Sequence, residues 1–425
     1  MKKISLLIQT TIMCSIFFTI SAFSQETNLR IPIEKNTKSR TNEASLVLLQ
    51  IKGDFFYEDL NDSWTDSSFY ALLDRQIEDG FGYMEYWDTD KTVQYLYDTY
   101  ATTDEKRDKY DNLIGEEEKT AQVIETKPLD VFKVVKSLWR PLRRLGFTGT
   151  KLKGNPKAIN NACFICVPNM AEVQKGFIIT NPRNNAPYVA LCNPFQILKN
   201  HVTLALIEHK KQGMPTERAK FILNLVKKLD KFRFGFNSLS AGASIREHAH
   251  FHGADEALPI EHIAQEEIYK DSSFILSQLD KNIWPNAVYV AEGSEEKITE
   301  FIMHMINSLD KNFASEEEKA FNILFTRSDQ GDLKAYFIPR RKETPGGFKG
   351  MFGFCEMCGL SLCERTKDYR NIKEESLRKA LLECGRYPND SALIEIIEDF
   401  VALQTESANS NNPTINVIPK NKADI

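Results

Sequence analysis

The chain has no surplus of basic charge. Its 54 Lys and Arg stand against 59 Asp and Glu, a formal net charge of −5 at pH 7, so no broad positive surface is available to grip a nucleic-acid backbone. After the N-terminal apolar run no window is long and apolar enough to span a bilayer. With 20 Gly and 16 Pro in 425 residues the chain is neither collagenous nor low in complexity, and 8 Cys are too few for a disulfide-built scaffold. What remains is the composition of a globular protein, 42% hydrophobic, 11% aromatic and 27% charged, long enough for two or three domains with a substantial core.

The N-terminus has the form of a secretory leader. Lys2 and Lys3 precede an apolar run over 4–20, and Ala22-Phe23-Ser24 offers the small residues that a signal peptidase reads, which places cleavage after Ser24 and the mature chain outside the cytoplasm. An uncleaved anchor ranks second, because Gln9, Thr10 and Thr11 interrupt the run. Acylation at Cys14 ranks third, since Thr11-Ile12-Met13 lacks the small residues expected before a lipidated cysteine. With the leader gone no membrane domain is expected. Residues 25–45 and 405–425 are polar, the latter rich in Asn and Ser, and read as a linker and a disordered tail.

Between these ends the texture changes once. Residues 46–155 read as α-rich, with a helical pattern from Phe69 toward Gly80, a charged helix or loop over 102–127 and an amphipathic stretch over 129–145. Beyond Cys166, short β-branched and aromatic runs at 176–180, 188–192 and 202–207, separated by Asn, Pro and Gly, predict antiparallel strands. Pro215 and Thr216 open a helix to 228 whose Phe221, Ile222, Leu225, Val226 and Leu229 share a core face. A similar series follows: a strand at 287–291, a helix at 295–309, a hairpin over 322–338 turning at 329–332, and a strand-like segment at 354–363. The expectation is an α+β protein of two related sheet-plus-helix halves, 156–275 and 276–404, behind an α-rich N-terminal region.

Only seven histidines occur, and three fall within His248-Ala249-His250-Phe251-His252. On an extended strand alternate residues share a face, so the three imidazoles would point one way while Ala249 and Phe251 enter the core. The preceding segment, Gly235 to Ser244, is made of small residues and hydroxyls that let backbone N–H groups approach an anion, and it reads as a phosphate cradle. An imidazole nucleophile needs one nitrogen facing phosphorus and the other hydrogen-bonded, and His250, flanked on both sides, is best placed for that role. A metal site using several of these histidines is the competing reading.

The segment GFNSLSAGASIREHAHFHG resembles the active-site motif of the histidine triad (HIT) superfamily, in the branch of galactose-1-phosphate uridylyltransferase and the GDP-hexose phosphorylases. The stretch ALCNPFQILKNHVTL, ending at Leu204, is similar to that branch's Asn-Pro-Phe strand and following histidine. Phe321-Asn-Ile-Leu resembles its C-terminal hairpin, Glu356-Met-Cys-Gly-Leu with Lys367-Asp-Tyr its late strand and turn, and Leu73-Asp-Arg-Gln-Ile-Glu-Asp-Gly80 its N-terminal helix. Two departures stand out: His252 occupies a place where the transferases usually carry glutamine, and four positions separate Ser244 from His248, one more than in the best-known transferases.

The resemblance implies two HIT-like halves and a double displacement through a nucleotidyl-histidine at His250. His248 and His252 would orient the nucleophile or touch phosphate, and Asn193, Asn237, Ser238, Ser240, Ser244 and Arg340 would contact phosphate or sugar oxygens. It implies a nucleotide sugar, GDP-hexose-like, with a phosphate acceptor, and it allows a homodimer. A dinucleoside polyphosphate phosphorylase or hydrolase using the same His250 is the second reading, and an exported nucleotide-binding protein without catalysis the third. Export argues for hydrolysis or for an unusual setting, because nucleotide sugars and free phosphate acceptors are cytoplasmic commodities.

Cys163-Phe-Ile-Cys166 is half of a metal site by spacing. Similarity to the uridylyltransferases implies a structural zinc completed by His201 and His248. In an oxidising compartment a Cys163–Cys166 disulfide, with Cys355–Cys358 as another, is the alternative. Buried packing is expected for Cys355 and Cys358 and a core position for His304, and His209 and His262 have no assigned role.

Overall fold

The structure is a computed structural model that describes residues 55–59, 66, 67, 69–71, 124–137, 163, 165–167, 176–181, 183–193, 197–348 and 350–411. The leader, the linker, most of the expected α-rich region and the Asn-Pro-Phe segment at 194–196 lie outside the described residues, as does the end of the chain beyond 411. The organising feature is one 11-stranded sheet in the order β1-β4-β5-β6-β8-β7-β12-β13-β11-β10-β9.

Chain order explains this arrangement. A meander of β4 (Gly176–Thr180), β5 (Pro187–Cys192) and β6 (Val202–Leu206) leads through helix α1 (Thr216–Lys228) into the pair β7 (Arg233–Asn237) and β8 (His250–Ala254). The same succession then repeats: β9 (Gln265–Lys270), β10 (Phe274–Leu279), β11 (Tyr289–Gly293), helix α2 (Glu295–Asn312), β12 (Phe321–Arg327) and β13 (Leu333–Pro339). The two sets meet at the antiparallel pair β7–β12, where Asn322 faces Asn237 and Phe325 faces Phe234. The second set opens at Gln265, ten residues before the boundary expected at 275, because β9 pairs with β10 at the far edge of the sheet.

Strict alternation along the strands builds the core. Phe177, Ala190, Leu204, Phe236, Phe251, Ile323, Phe325 and Phe337 turn to one face, under α1, α2 and helix α6 (Ser391–Asn411), in one cluster that runs through both sets. α1 buries Phe221, Ile222, Leu225 and Val226 there, and Ser294 caps α2 by accepting from the Lys297 amide at 3.3 Å. The other face holds two separate clusters. One, under β4–β6, joins Val189, Leu191, Ala205 and Ile207 to Ile165 and Val167. The other, under β11–β13, joins Leu324, Tyr336 and Ile338 to Trp284, Phe354 and Leu381. Between them the same face carries polar side chains, and that gap is where the histidines stand.

Four expectations change. The amphipathic stretch from 129 is not helical over its described part: β3 (Lys133–Ser137) pairs parallel with β14 (Leu360–Cys363) and antiparallel with β2 (Ile124–Pro128), since Val134 and Val135 are buried against residues far away in sequence. β1 (Phe55–Asp59) likewise adds a parallel strand beside β4 in the region expected to be α-rich. The segment at 354–363 splits into a helical turn, α3 (Phe354–Met357), and β14, with Gly359 (φ +92°) making the break. Two short helices, α4 (Thr366–Asn371) and α5 (Glu374–Cys384), then lead to α6, which continues to Asn411 through the start of the expected tail, because Leu393, Ile396, Ile397 and Phe400 bury a stripe in the first core cluster. Among the described residues no helix is long and apolar enough to cross a membrane.

Candidate active site

β8 begins at His250, so two of the three clustered histidines stand on the strand and His248 lies just before it. His250 and His252 share the polar face, opposite Ala205 and Thr203 of β6. Their rings meet edge to face, 5.1 Å between centroids. The Nδ1–H of His250 donates to the carbonyl of His248 at 2.7 Å. In the neutral ring that bond fixes the tautomer and makes Nε2 the nitrogen with the lone pair.

His252 is held on two sides. Its Nδ1 lies 3.0 Å from Nε2 of His201, and its ring stacks on Phe354, 5.5 Å between centroids at 26°. Phe354 reaches this position because Gly235, opposite His252 in β7, has no side chain; a Cβ there would come within 2.2 Å of the Phe354 ring. Asn193, at the end of β5, donates to Thr203 Oγ1 at 2.9 Å and lies 3.5 Å from His201 Nε2, so it belongs to the His201–His252 end of the site.

His248 has turned away from the other two. Its Nε2–H donates to the Leu206 carbonyl, which leaves Nδ1 as the lone-pair nitrogen, and Nδ1 lies 3.2 Å from Cys163 Sγ and 3.4 Å from Cys166 Sγ. Cys166 Sγ is 3.1 Å from Nδ1 of His209. One ligand atom from each of Cys163, Cys166, His209 and His248 lies within 4.8 Å of the others. The Cys163 thiol is pulled down to about 4 by its hydrogen bond with Cys166 and then by His248, against the opposing effect of burial. Two thiols, one of them a ready thiolate, and two imidazoles are the donor set of a structural zinc, and these residues fit one.

The fourth member corrects the expectation of His201. β6 and β8 are antiparallel, with Val202 against Gly253 and Ala205 against His250, so His201 and His248 belong at opposite ends of that ladder. The residue near His248 is instead His209, just past the end of β6, its ring 5.0 Å from that of His248. Sequence reasoning left His209 without a role; the usable signal was that His201 and His209 flank one short strand, so only one of them could share an end with the cysteines. Cys355 and Cys358 are buried, as expected for packing. His304 donates to the Ile396 carbonyl at 3.0 Å, between α2 and α6.

Of the residues expected to contact substrate, several serve the interior. Arg340 is 0% exposed. It donates to the carbonyls of Cys384, Phe352 and Lys342 at 3.2, 2.9 and 2.9 Å and to Asn322 Oδ1, so its guanidinium ties the chain together beneath the loop. Asn237 accepts through Oδ1 from Asn322 Nδ2 and from the Phe354 amide, both at 2.7 Å. Ser238 accepts from the Phe321 amide at 2.8 Å. Ser240, in the left-handed region at φ 58°, and Ser244 remain on the loop between β7 and β8. That loop is less open to anions than its composition suggests, since the Gly242 amide donates to Glu343 Oε1 at 2.8 Å and Arg246 pairs with the other Glu343 oxygen.

In the second set the corresponding face is closed. Tyr336 and Ile338 of β13 are buried with Trp284 and Phe354, and the Tyr336 phenol is pushed far up by burial. The described chain thus offers one histidine-bearing face, not two.

A family model described as a domain of unknown function, DUF4922, matches residues 103–255. Among solved structures the chain is similar to yeast Ap4A phosphorylase Apa2, at 15% identity over 70% of this chain and 97% of that one, with a TM-score of 0.44. Apa2 in complex with Ap4A is similar at 16% identity and a TM-score of 0.42, with 70% and 98% covered. A DUF4931 family protein from Bacillus cereus follows at 15% identity, 36% and 81% coverage and a TM-score of 0.29. No curated protein matches the chain.

Proposed function

We propose that this chain is a nucleotidyl-transfer enzyme of the histidine triad kind, working through a covalent nucleotidyl-histidine at His250. The observation that carries the reading is the 2.7 Å bond from His250 Nδ1 to the His248 carbonyl, which aims the lone pair of a neutral imidazole through Nε2. In the first step Nε2 forms a bond to the α-phosphorus of the substrate while the bond from that phosphorus to the leaving phosphate oxygen breaks. In the second an acceptor oxygen, from phosphate or water, bonds to the same phosphorus and the P–N bond breaks, returning neutral His250. Positioning by His252 and its partners, with stabilisation of charge on the non-bridging oxygens, supplies the remaining work. A zinc held by Cys163, Cys166, His209 and His248 would contribute structure, with no part in bond making.

The substrate is a nucleotide linked through its α-phosphorus to a further phosphate. Dinucleoside polyphosphates and GDP-hexoses both have that form, and the proposal includes both: the first is the kind of ligand named for the yeast phosphorylase, the second is what the motif around the triad implies. Intact-mass spectrometry of residues 25–425 with each compound, without phosphate, tests it. A single adduct of AMP or GMP mass, absent from His250→Asn, is expected and names the nucleotide. No adduct with any compound, together with no product release on adding phosphate, overturns the reading.

Export through the leader at residues 1–24 is part of the same proposal. A fusion of these residues to a reporter active only outside the cytoplasm should be active; an inactive fusion removes that part.

A further inference from the structure

We propose that Gln212 is a positioning residue for the nucleophile, a side chain that bonds both backbone groups of His250 as a paired strand residue would. This rests on the reading of His250 as the nucleotidyl acceptor. The ladder between β7 and β8 pairs Arg233 with Ala254 and Gly235 with His252, and the next pair in that register would bring Asn237 to His250. The paired register ends at Gly235 and His252; Asn237 faces Asn322 in β12, its side chain holds the Phe354 amide, and the next residue, Ser238, bonds to Phe321.

Gln212 bonds both backbone groups of His250. Its Oε1 accepts from the His250 amide at 2.9 Å and its Nε2 donates to the His250 carbonyl at 3.0 Å, which is the two-bond exchange that a paired strand residue would make. Gln212 is 4% exposed. Its own amide donates to the Arg246 carbonyl at 3.0 Å, and the Ala249 amide donates to Lys210 at 2.6 Å, so the loop after β6 runs beside the whole approach to the nucleophile. The same loop carries His209 of the metal group. A glutamine clamps this backbone with two bonds, neither of which a hydrophobic side chain of equal size could make. The consequence falls on the ring: the His250 side chain bonds to the carbonyl of His248 two residues back, and that bond holds only while the backbone between them keeps its course.

The test compares full-length wild type with Gln212→Met, which keeps the volume and loses both bonds, and Gln212→Glu, which keeps the acceptor for the His250 amide and loses the donor. Three quantities are read: the rate of nucleotidyl-His250 formation at saturating substrate, the substrate concentration for half-maximal rate, and the His250 tautomer from long-range proton–nitrogen NMR of histidine-labelled protein. For Gln212→Met the expected result is adduct formation slowed about 10- to 100-fold at a nearly unchanged half-saturating concentration, with the Nδ1–H signal of His250 no longer dominant. Gln212→Glu should fall between it and wild type, and it carries the test if Gln212→Met does not fold. A lower melting temperature with wild-type rate and tautomer in the folded variant would overturn the proposal, leaving Gln212 a structural residue only. If wild type itself forms no adduct, the nucleotidyl-transfer reading fails, while the tautomer comparison still decides whether Gln212 sets the His250 ring.

Discussion

His248 gives its ring to Cys163 and Cys166 and its carbonyl oxygen to the ring of His250. One residue thus belongs to the Cys–His cluster through its side chain and to His250, the proposed nucleophile, through its backbone. The motif that looks like three equivalent histidines divides into a member of the Cys–His cluster, the proposed nucleophile and a partner, His252, which is itself oriented by His201 and Phe354.

The division makes the two outlying histidines separable. Purified protein should carry about one zinc per chain, as a four-ligand structural site does. His209→Ala should lose it and melt at a lower temperature, whereas His201→Ala should keep the metal and lose adduct formation. Metal analysis of the two variants checks this; zinc retained in His209→Ala and lost in His201→Ala would reverse the assignment.

The metal-free cysteines should differ sharply in reactivity. With the Cys163 thiol pulled down to about 4 and half-buried, it is a thiolate from about pH 5 upward. After chelation, iodoacetamide should label Cys163 at pH 6, while Cys358, whose thiol burial pushes up, and Cys363, pushed up to about 12 by burial, stay unlabelled in the folded chain. The sign for stability follows. A group depressed on folding contributes fully above its unfolded value near 9, and that contribution is lost as the pH falls toward the folded value. Peptide mapping across pH 5–9 is the measurement.

Arg340 should matter to the fold and not to phosphate. Arg340→Met leaves several buried carbonyls without their donor and should destabilise the chain by about 3–5 kcal/mol, read by denaturant unfolding. Wild-type stability with weakened nucleotide binding would return the residue to the substrate.

Gly235 should tolerate no side chain. Gly235→Ala forces the Phe354 ring away from His252, with an overpacking cost of about 1–3 kcal/mol. Adduct formation should slow by more than the loss of folded protein explains, because the face that orients His252 has moved. Comparing adduct rate with the folded fraction at one temperature separates the two effects.

Much of the fold was legible where local pattern and final environment agree. The strand at 176–180 and the helix ending at 228 match the observed β4 and α1, and the hairpin near 322–338 matches β12–β13 to within a residue, since alternation and helical spacing are fixed by which face is buried. Elements decided by distant partners were not legible. β3 exists because β14, more than 200 residues later, lies beside it, and α6 outruns its polar sequence because its earlier turns are anchored in the core. The site divides in the same way. The histidine cluster and Cys163-x-x-Cys166 announce themselves by density, but choosing His209 over His201 requires the β6–β8 register. Asn237 and Arg340 look functional because polar residues stand near a motif; only the tertiary structure shows their hydrogen bonds going to the protein's own backbone.

The seam between the two strand sets has a cost that shows only when it is opened. β7 and β12 are central strands, with Phe234 and Phe236 of one beside Ile323 and Phe325 of the other in a single apolar layer. A fragment ending near residue 260 would carry every histidine of the site, yet would present β7 as an aromatic edge with nothing to bond the backbone groups that had faced β12. Such a fragment should precipitate or pair with its own copies, edge to edge. The half without a histidine site is what keeps the other half in solution.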